Sequence, residues 1–172
     1  MALIVEDGTG MDLAESYASV EEMDAYDVAR NAPAEAVDLA AQERALRRAT
    51  AWIEATYHGR WKGRRATALQ GLAWPRVGAV DPEGFSIAST SVPRAVKHAT
   101  IEVAIAILEG ASLDTRPDQT AAVSRKRVKA GPVETETEYA LPARSPRFSR
   151  VDGLLVGLID ATSNFVGTAV RV

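Results

Sequence analysis

A mainly α-helical fold is predicted: a small helical bundle with a projecting β-hairpin, an N-terminal arm and an extended C-terminal tail. Three observations lead there. Aromatic residues make up only 6% of a chain that is 47% hydrophobic, so the interior must be built from alanine, valine, leucine and isoleucine, which suits closely approaching helices. Apolar residues recur at helical spacing in several separate segments, and in one place only does the period change to two. At 172 residues the chain fits a single domain, 1–172, divided into an arm (1–18), a helical core (19–110), a hairpin (120–141), a C-terminal helix (147–160) and a tail (161–172).

Leu3-Ile4-Val5 followed by Glu6-Asp7-Gly8-Thr9-Gly10 reads as a short extended arm ending in a glycine turn. Ser19-Val20-Glu21-Glu22 has the spacing of a capping box, in which the Ser19 hydroxyl meets the Glu22 amide and the Glu22 side chain reaches back. A short helix is expected from there, with Val20, Met23 and Tyr26 on one face, Asp24, Asp27 and Arg30 off it, and Asn31-Ala32-Pro33 as its stop. A longer helix is expected from about Ala34 to Tyr57. Leu39, Leu46 and Ile53 recur every seven residues, with Gln42, Ala45, Ala49, Trp52 and Thr56 filling the stripe and Glu54 off it. His58-Gly59 ends this helix through a glycine cap. Between residues 59 and 92, five glycines and two prolines interrupt the apolar pieces too often for a long regular element, so an irregular connector is expected.

A third helix should begin near Pro93 with Ser91 as its cap. It is apolar from Val96 to Leu108, carries Lys97, His98, Thr100 and Glu102 toward its start, and closes at Gly110, the pattern of a central bundle helix. The period-two segment follows. Val133, Thr135, Thr137 and Tyr139 alternate with Glu134, Glu136 and Glu138, and the basic run Arg125, Arg127 and Lys129 precedes them across Ala130-Gly131-Pro132. That is a β-hairpin with one basic and one acidic strand, in which opposed pairs contribute about 0.2–1 kcal/mol each. A seven-residue strand reaches roughly 23 Å, and a hairpin alone is marginal in water, so this one should lean on a neighbour. Ser149 is a candidate cap for a short amphipathic helix bearing Val151, Leu154, Leu155, Leu158 and Ile159. Beyond it the tail, stretched out, reaches roughly 40 Å.

The charge of −3 and a pI near 5.5 argue against a chain that wraps nucleic acid along its whole surface. Cysteine is absent, which rules out disulfides and thiolate metal sites. The N-terminal residues have no basic region and no long apolar run, so no secretion signal is expected, and the apolar stretch from Ala99 to Leu108 is too short to span a bilayer. A soluble protein without membrane contact is expected. His58 and His98 lack further ligands at usable spacing, Gly8-Thr9-Gly10 lacks the lysine of a phosphate loop, and no serine sits in a nucleophile elbow. No catalytic or metal site and no cofactor is expected, and the chain does not read as an enzyme.

The most informative segment spans residues 60–76. Arg60, Trp61, Lys62, Arg64, Arg65, Trp74 and Arg76 place two of the three tryptophans beside five cations. Such a set can stack bases and hold phosphate, or it can clamp a bundle or a subunit interface. The acidic overall charge and the look of Trp74-Pro75 as a docked pair favour the structural or interface use.

Val5-Glu6-Asp7-Gly8-Thr9-Gly10, Ser16-Tyr17 with Ser19 and Tyr26, Arg60-Trp61-Lys62-Gly63-Arg64-Arg65, Leu72-Ala73-Trp74-Pro75-Arg76, Asp81 to Gly84, and Val92-Pro93 with Val96-Lys97 resemble tailed-phage and prophage proteins often labelled DnaT-like single-stranded DNA-binding. The resemblance covers about residues 3 to 139. Proteins with this pattern look like head-tail adaptors. The resemblance then implies a dodecameric ring below the portal protein, a tail-side neck or stopper protein as a further partner, and packaged DNA passing through the channel without specific binding. It also implies a place in the virion neck after assembly in the host bacterial cytoplasm. The tail residues Phe165, Val166, Val170 and Val172 are the candidates for docking on the portal, and Arg125, Arg127, Lys129, Glu134, Glu136 and Glu138 are the candidates for a hairpin shared between subunits. The other role is the one the label names, a single-stranded DNA-binding module using Trp61, Trp74 and their arginines. The adaptor is the expected role, because an acidic chain suits a conduit through which DNA must slide.

Overall fold

The computed structural model describes residues 2–30, 37–113, 126–130, 133–137 and 148–160. The chain divides into two compact units, one formed by Met1–Gly110 with Ser149–Val172 and the other by Ala111–Phe148. The architecture is mainly α, and among the described residues it has four helices and one two-stranded hairpin longer than a few residues.

In the first unit α1 (Val20–Val28) starts as its sequence dictates. The Glu22 amide donates to Ser19 Oγ at 3.2 Å, and the Ser19 amide donates to Glu22 Oε2 at 3.1 Å. Met23 and Tyr26 are buried, while Val28 at the far end is exposed. The second helix, α2 (Leu39–Thr56), begins later than the apolar pattern implies: Val37 and Asp38 precede it as irregular chain. Leu39 is consequently the first helical residue and is exposed, and the buried stripe starts one turn later at Gln42, continuing through Ala45, Leu46, Ala49, Thr50 and Ile53. Thr56 is exposed too, because Tyr57 just past the helix end fills the core position instead.

The third helix, α3 (Arg94–Leu108), buries Val96, Ala99, Thr100, Ile101, Val103 and Ala104. It packs on α2 and on α4 (Ser149–Leu155), and α1 rests on both α2 and α3. Two expected caps are not caps. Pro93 occupies the N-cap of α3, leaving Ser91 too far back to reach the first amides, and the Ser91 hydroxyl donates to the Ala88 carbonyl at 3.1 Å. Ser149 is itself the first residue of α4. That helix is also shorter than expected: it ends at Leu155, and the Leu158 amide closes a turn on the Leu155 carbonyl at 2.8 Å. Leu158 and Ile159 are still buried, because the chain after the turn pairs with Trp61 in an antiparallel bridge.

The N-terminal arm is extended but does not project. Val5 bridges Ser16 in parallel, the Glu6 amide donates to the Ser16 carbonyl at 2.9 Å, and the Leu3 amide reaches Glu43 on α2 at 3.3 Å. Its glycine turn wraps a buried carboxylate: Glu6 accepts from the amides of Gly8, Gly10 and Met11, each at 2.9 Å, and is only 1% exposed. Gly8 has φ +103, and a Cβ there would lie 2.2 Å from the Thr90 carbonyl oxygen, so the arm meets the segment leading into α3 backbone to backbone.

Residues 59–92 are irregular, as expected, yet they hold core side chains: Trp61, Leu72, Trp74 and Ala79 are all buried. Two very short strands, β1 (Arg64–Arg65) and β2 (Arg76–Val77), pair antiparallel with Arg64 opposite Val77 and Arg65 opposite Arg76.

The second unit contains the predicted hairpin. Strand β3 (Lys126–Ala130) pairs antiparallel with β4 (Val133–Thr137), and the register sets Arg127 opposite Glu136 and Lys129 opposite Glu134. The outer parts of the predicted hairpin, including Arg125 and Glu138, lie outside the described residues, as does the tail with Phe165, Val166, Val170 and Val172.

Candidate functional site

The segment that the sequence singles out folds as a clamp built from its own rings and cations. α2 ends by presenting Tyr57, whose ring centroid lies 6.2 Å from Trp52 and 5.7 Å from Trp61, and Trp61 in turn meets Trp74 edge-on at 6.0 Å. Trp61 is 5% exposed and Trp74 fully buried, so neither indole offers a face to an incoming base. The Arg60 guanidinium sits over the Tyr57 ring at 5.4 Å.

Arg76 is the fastener. Its Nε donates to the Lys62 carbonyl at 2.7 Å, Nη1 to Ala73 at 3.0 Å, and Nη2 to Gly63 at 2.6 Å and Trp61 at 3.3 Å. One planar fork thus ties both ends of the loop together, a task that needs the fixed donor geometry of arginine. Burial lowers its pKa from the usual value, which an arginine tolerates without losing its charge. Gly63 belongs to the same fold-back: its φ is +72, and a Cβ would stand 2.5 Å from the Val77 carbonyl oxygen. Lys62 donates through Nζ to the Gly157 carbonyl at 2.8 Å, tying the loop to the turn after α4. Arg65 donates to the Gln70 carbonyl at 3.2 Å. Of the seven residues marked in the sequence, Trp61 and Trp74 therefore face the core, Arg60, Lys62 and Arg76 are half-buried, and Arg64 and Arg65 stay exposed.

The supporting residues carry no local signal. Gln70, 2% exposed, accepts from the Thr67 amide at 2.8 Å and donates to the carbonyls of Leu72 and Pro75 at 2.8 and 3.1 Å, replacing the ladder this irregular loop lacks. Three tyrosine hydroxyls donate to carboxylates on distant elements: Tyr17 to Glu54, Tyr26 to Glu102 at 2.5 Å, and Tyr57 to Asp152 at 2.7 Å. Burial first, and then the neighbouring carboxylate, pushes all three phenols up, Tyr26 to about 12. Glu54 was expected to lie off the apolar stripe. It is half-buried instead, accepts from the Ala73 amide at 3.1 Å as well as from Tyr17, and burial raises its pKa. The Tyr17 oxygen then accepts from the Trp74 amide at 3.2 Å, so arm, α2 and the Trp-Pro loop meet in one chain of hydrogen bonds. Each partner lies 37 residues or more from its tyrosine, which no spacing rule connects.

The two histidines sit apart. His58 is exposed just past α2. His98 packs edge-on against Tyr26 at 4.6 Å, and burial followed by the nearby Arg94 lowers its pKa. Among the described residues no group of three or more histidines and carboxylates is placed to hold a metal ion, and no helix is long and apolar enough to cross a membrane. Chemically, the segment can brace the fold and present Arg64 and Arg65 to an anionic surface; it forms no stacking platform.

Residues 1–172 match the family described as "Putative DnaT-like ssDNA binding protein". No curated protein and no solved structure matches the chain. By that match over its whole length, the chain belongs to this DnaT-like family.

Proposed function

We propose that this protein is a structural assembly component, a head-tail adaptor whose copies form a ring below the portal and link it to tail-side neck proteins around the DNA channel. The observation that supports this reading best is how the chain spends its aromatic and basic residues. Trp61, Trp74 and Arg76, the groups best suited to grip a single strand, are occupied within the protein, the two indoles buried in its core and the guanidinium bonded to the loop's own carbonyls, while a separate unit carries a two-stranded hairpin with opposed charges on its strands. A hairpin that size is marginal by itself and gains from a neighbour. The net charge of −3 fits a passage that DNA crosses without sticking. The partners would be further copies of the chain, the portal and a stopper protein, in the virion neck.

The experiment is co-assembly. Mixed with purified portal protein, the chain should form a ring complex visible by negative-stain microscopy and by mass photometry. A chain that stays monomeric and also fails to associate with portal overturns the adaptor.

The family description favours a second reading, single-stranded DNA binding. In this fold that role falls to exposed cations such as Arg64 and Arg65, with Trp61 and Trp74 acting only as their support. It predicts oligonucleotide binding that weakens steeply between about 50 and about 200 mM salt, and weaker binding by the double variant Arg64→Glu/Arg65→Glu. Absence of binding at low salt removes it.

A further inference from the structure

We infer that the hairpin joins one copy of this chain to the next by edge pairing, β4 of each copy against β3 of its neighbour, always in that head-to-tail sense. The inference rests on the ring-forming reading above and specifies the joint. Among the described residues the sheet in this unit has only these two strands, so each strand has one edge without a ladder partner.

The charge pattern decides what can occupy those edges. Residues directly opposite in an antiparallel pair share a face, so Arg127, Lys129, Glu134 and Glu136 fall on one face of the register, and Lys126, Val128, Ala130, Val133, Thr135 and Thr137 on the other. The first face therefore sets a basic column on β3 beside an acidic column on β4. Pairing two copies symmetrically, β3 on β3 or β4 on β4, sets like charges opposite each other, which is unfavourable. Pairing β4 with a neighbour's β3 sets Glu136 against Arg127 and Glu134 against Lys129, repeating the register already present inside the hairpin. The columns then alternate in sign around the assembly. Because such a contact uses two different edges it is heterologous: it leaves one free edge at each end of any open chain of copies, and it is satisfied everywhere only when the chain of copies closes into a ring. The occupant is thus a second copy of this protein, chosen by complementarity between its own two strands.

Two experiments on the full-length chain test this. The protein has no cysteine, so Val128→Cys and Thr135→Cys each introduce a single thiol, at positions that the inferred register sets opposite each other in adjacent copies. Mixing the two variants, one of them tagged, under mild oxidation should give the mixed disulfide in roughly tenfold excess over either homodimer. Equal yields, or homodimers alone, overturn the inference. In the second experiment Arg127→Glu/Lys129→Glu and Glu134→Lys/Glu136→Lys should each lose assembly when alone. Mixing the two variants should restore it, as should combining all four changes in one chain. If rings form in the wild type and survive either reversal unchanged, the hairpin is not the joint and the adaptor reading stands. If neither a ring nor a mixed disulfide forms, with portal present or absent, both fall.

Discussion

Tyr17 shows how much a single hydroxyl organises. It donates to Glu54 and accepts from the Trp74 amide, so Tyr17→Phe leaves a half-buried carboxylate and a buried amide each short of a partner. The expected loss is about 1–3 kcal/mol for each group left unsatisfied, read as a lower midpoint in urea at unchanged slope. Glu54 links the same network to pH. Burial holds its folded pKa above the free value of 4.5, so its contribution to stability is fully present below 4.5 and is lost as pH rises through the folded value. Glu54→Gln cannot ionise. Measured side by side in urea, the variant should therefore gain on the wild type as pH climbs from 4.5 toward neutrality; a constant difference would show that the carboxylate titrates normally. Asp7 and Glu15 act in the opposite sense. A hydrogen bond from Thr9 lowers Asp7, and one from Arg47 lowers Glu15, so their contributions fade as pH falls. Only the difference between variant and wild type isolates Glu54.

At the scale of elements, the rules that worked best are the ones closed within a few residues. The capping box of α1 needs Ser19 and Glu22 alone, and Ser19→Ala should cost about 0.5–2 kcal/mol, measurable as a drop in Tm by circular dichroism. The hairpin was legible for the same reason, since its register follows from alternation and one turn. The start of α2 was not. Its apolar period extends back through Leu39, but periodicity records which residues can be helical, and tertiary contacts decide where the buried stripe begins, here at Gln42. The connector's glycines and prolines make its irregularity plain, while its role as a clamp is hidden because Arg76 works through carbonyls of Lys62, Ala73, Trp61 and Gly63 that it meets only once the loop has folded. Arg76→Lys keeps the charge and loses the fork. We expect a loss of about 1.5–3 kcal/mol in stability, with the loop's amides exchanging faster in hydrogen-exchange mass spectrometry.

For the whole molecule, the division of labour is between a braced helical body and a small strand unit of mixed charge. The assembly proposed above, through opposed charges on β3 and β4, should weaken with salt, so a ring fraction measured by light scattering should fall between about 0.1 and 1 M, where the screening length shrinks from roughly 10 to 3 Å. A single-stranded DNA mode through Arg64 and Arg65 also weakens with salt, but it requires the oligonucleotide; salt sensitivity of the DNA-free protein belongs to assembly alone. The buried rings separate the two further. Because Trp61 and Trp74 are enclosed, adding an oligonucleotide should leave most of the tryptophan emission unchanged even if the DNA binds.

By itself the sequence determined the helical class, the capping box of α1, the irregular connector and the strand pairing, since each depends on groups only a few positions apart. Tertiary structure alone decided that the arm lies against α2 and the segment leading into α3, that Trp61 and Trp74 face inward, and that Tyr17, Tyr26 and Tyr57 find Glu54, Glu102 and Asp152. Those outcomes depend on which distant surfaces exclude water together, and burial of that kind leaves no period in the chain to read.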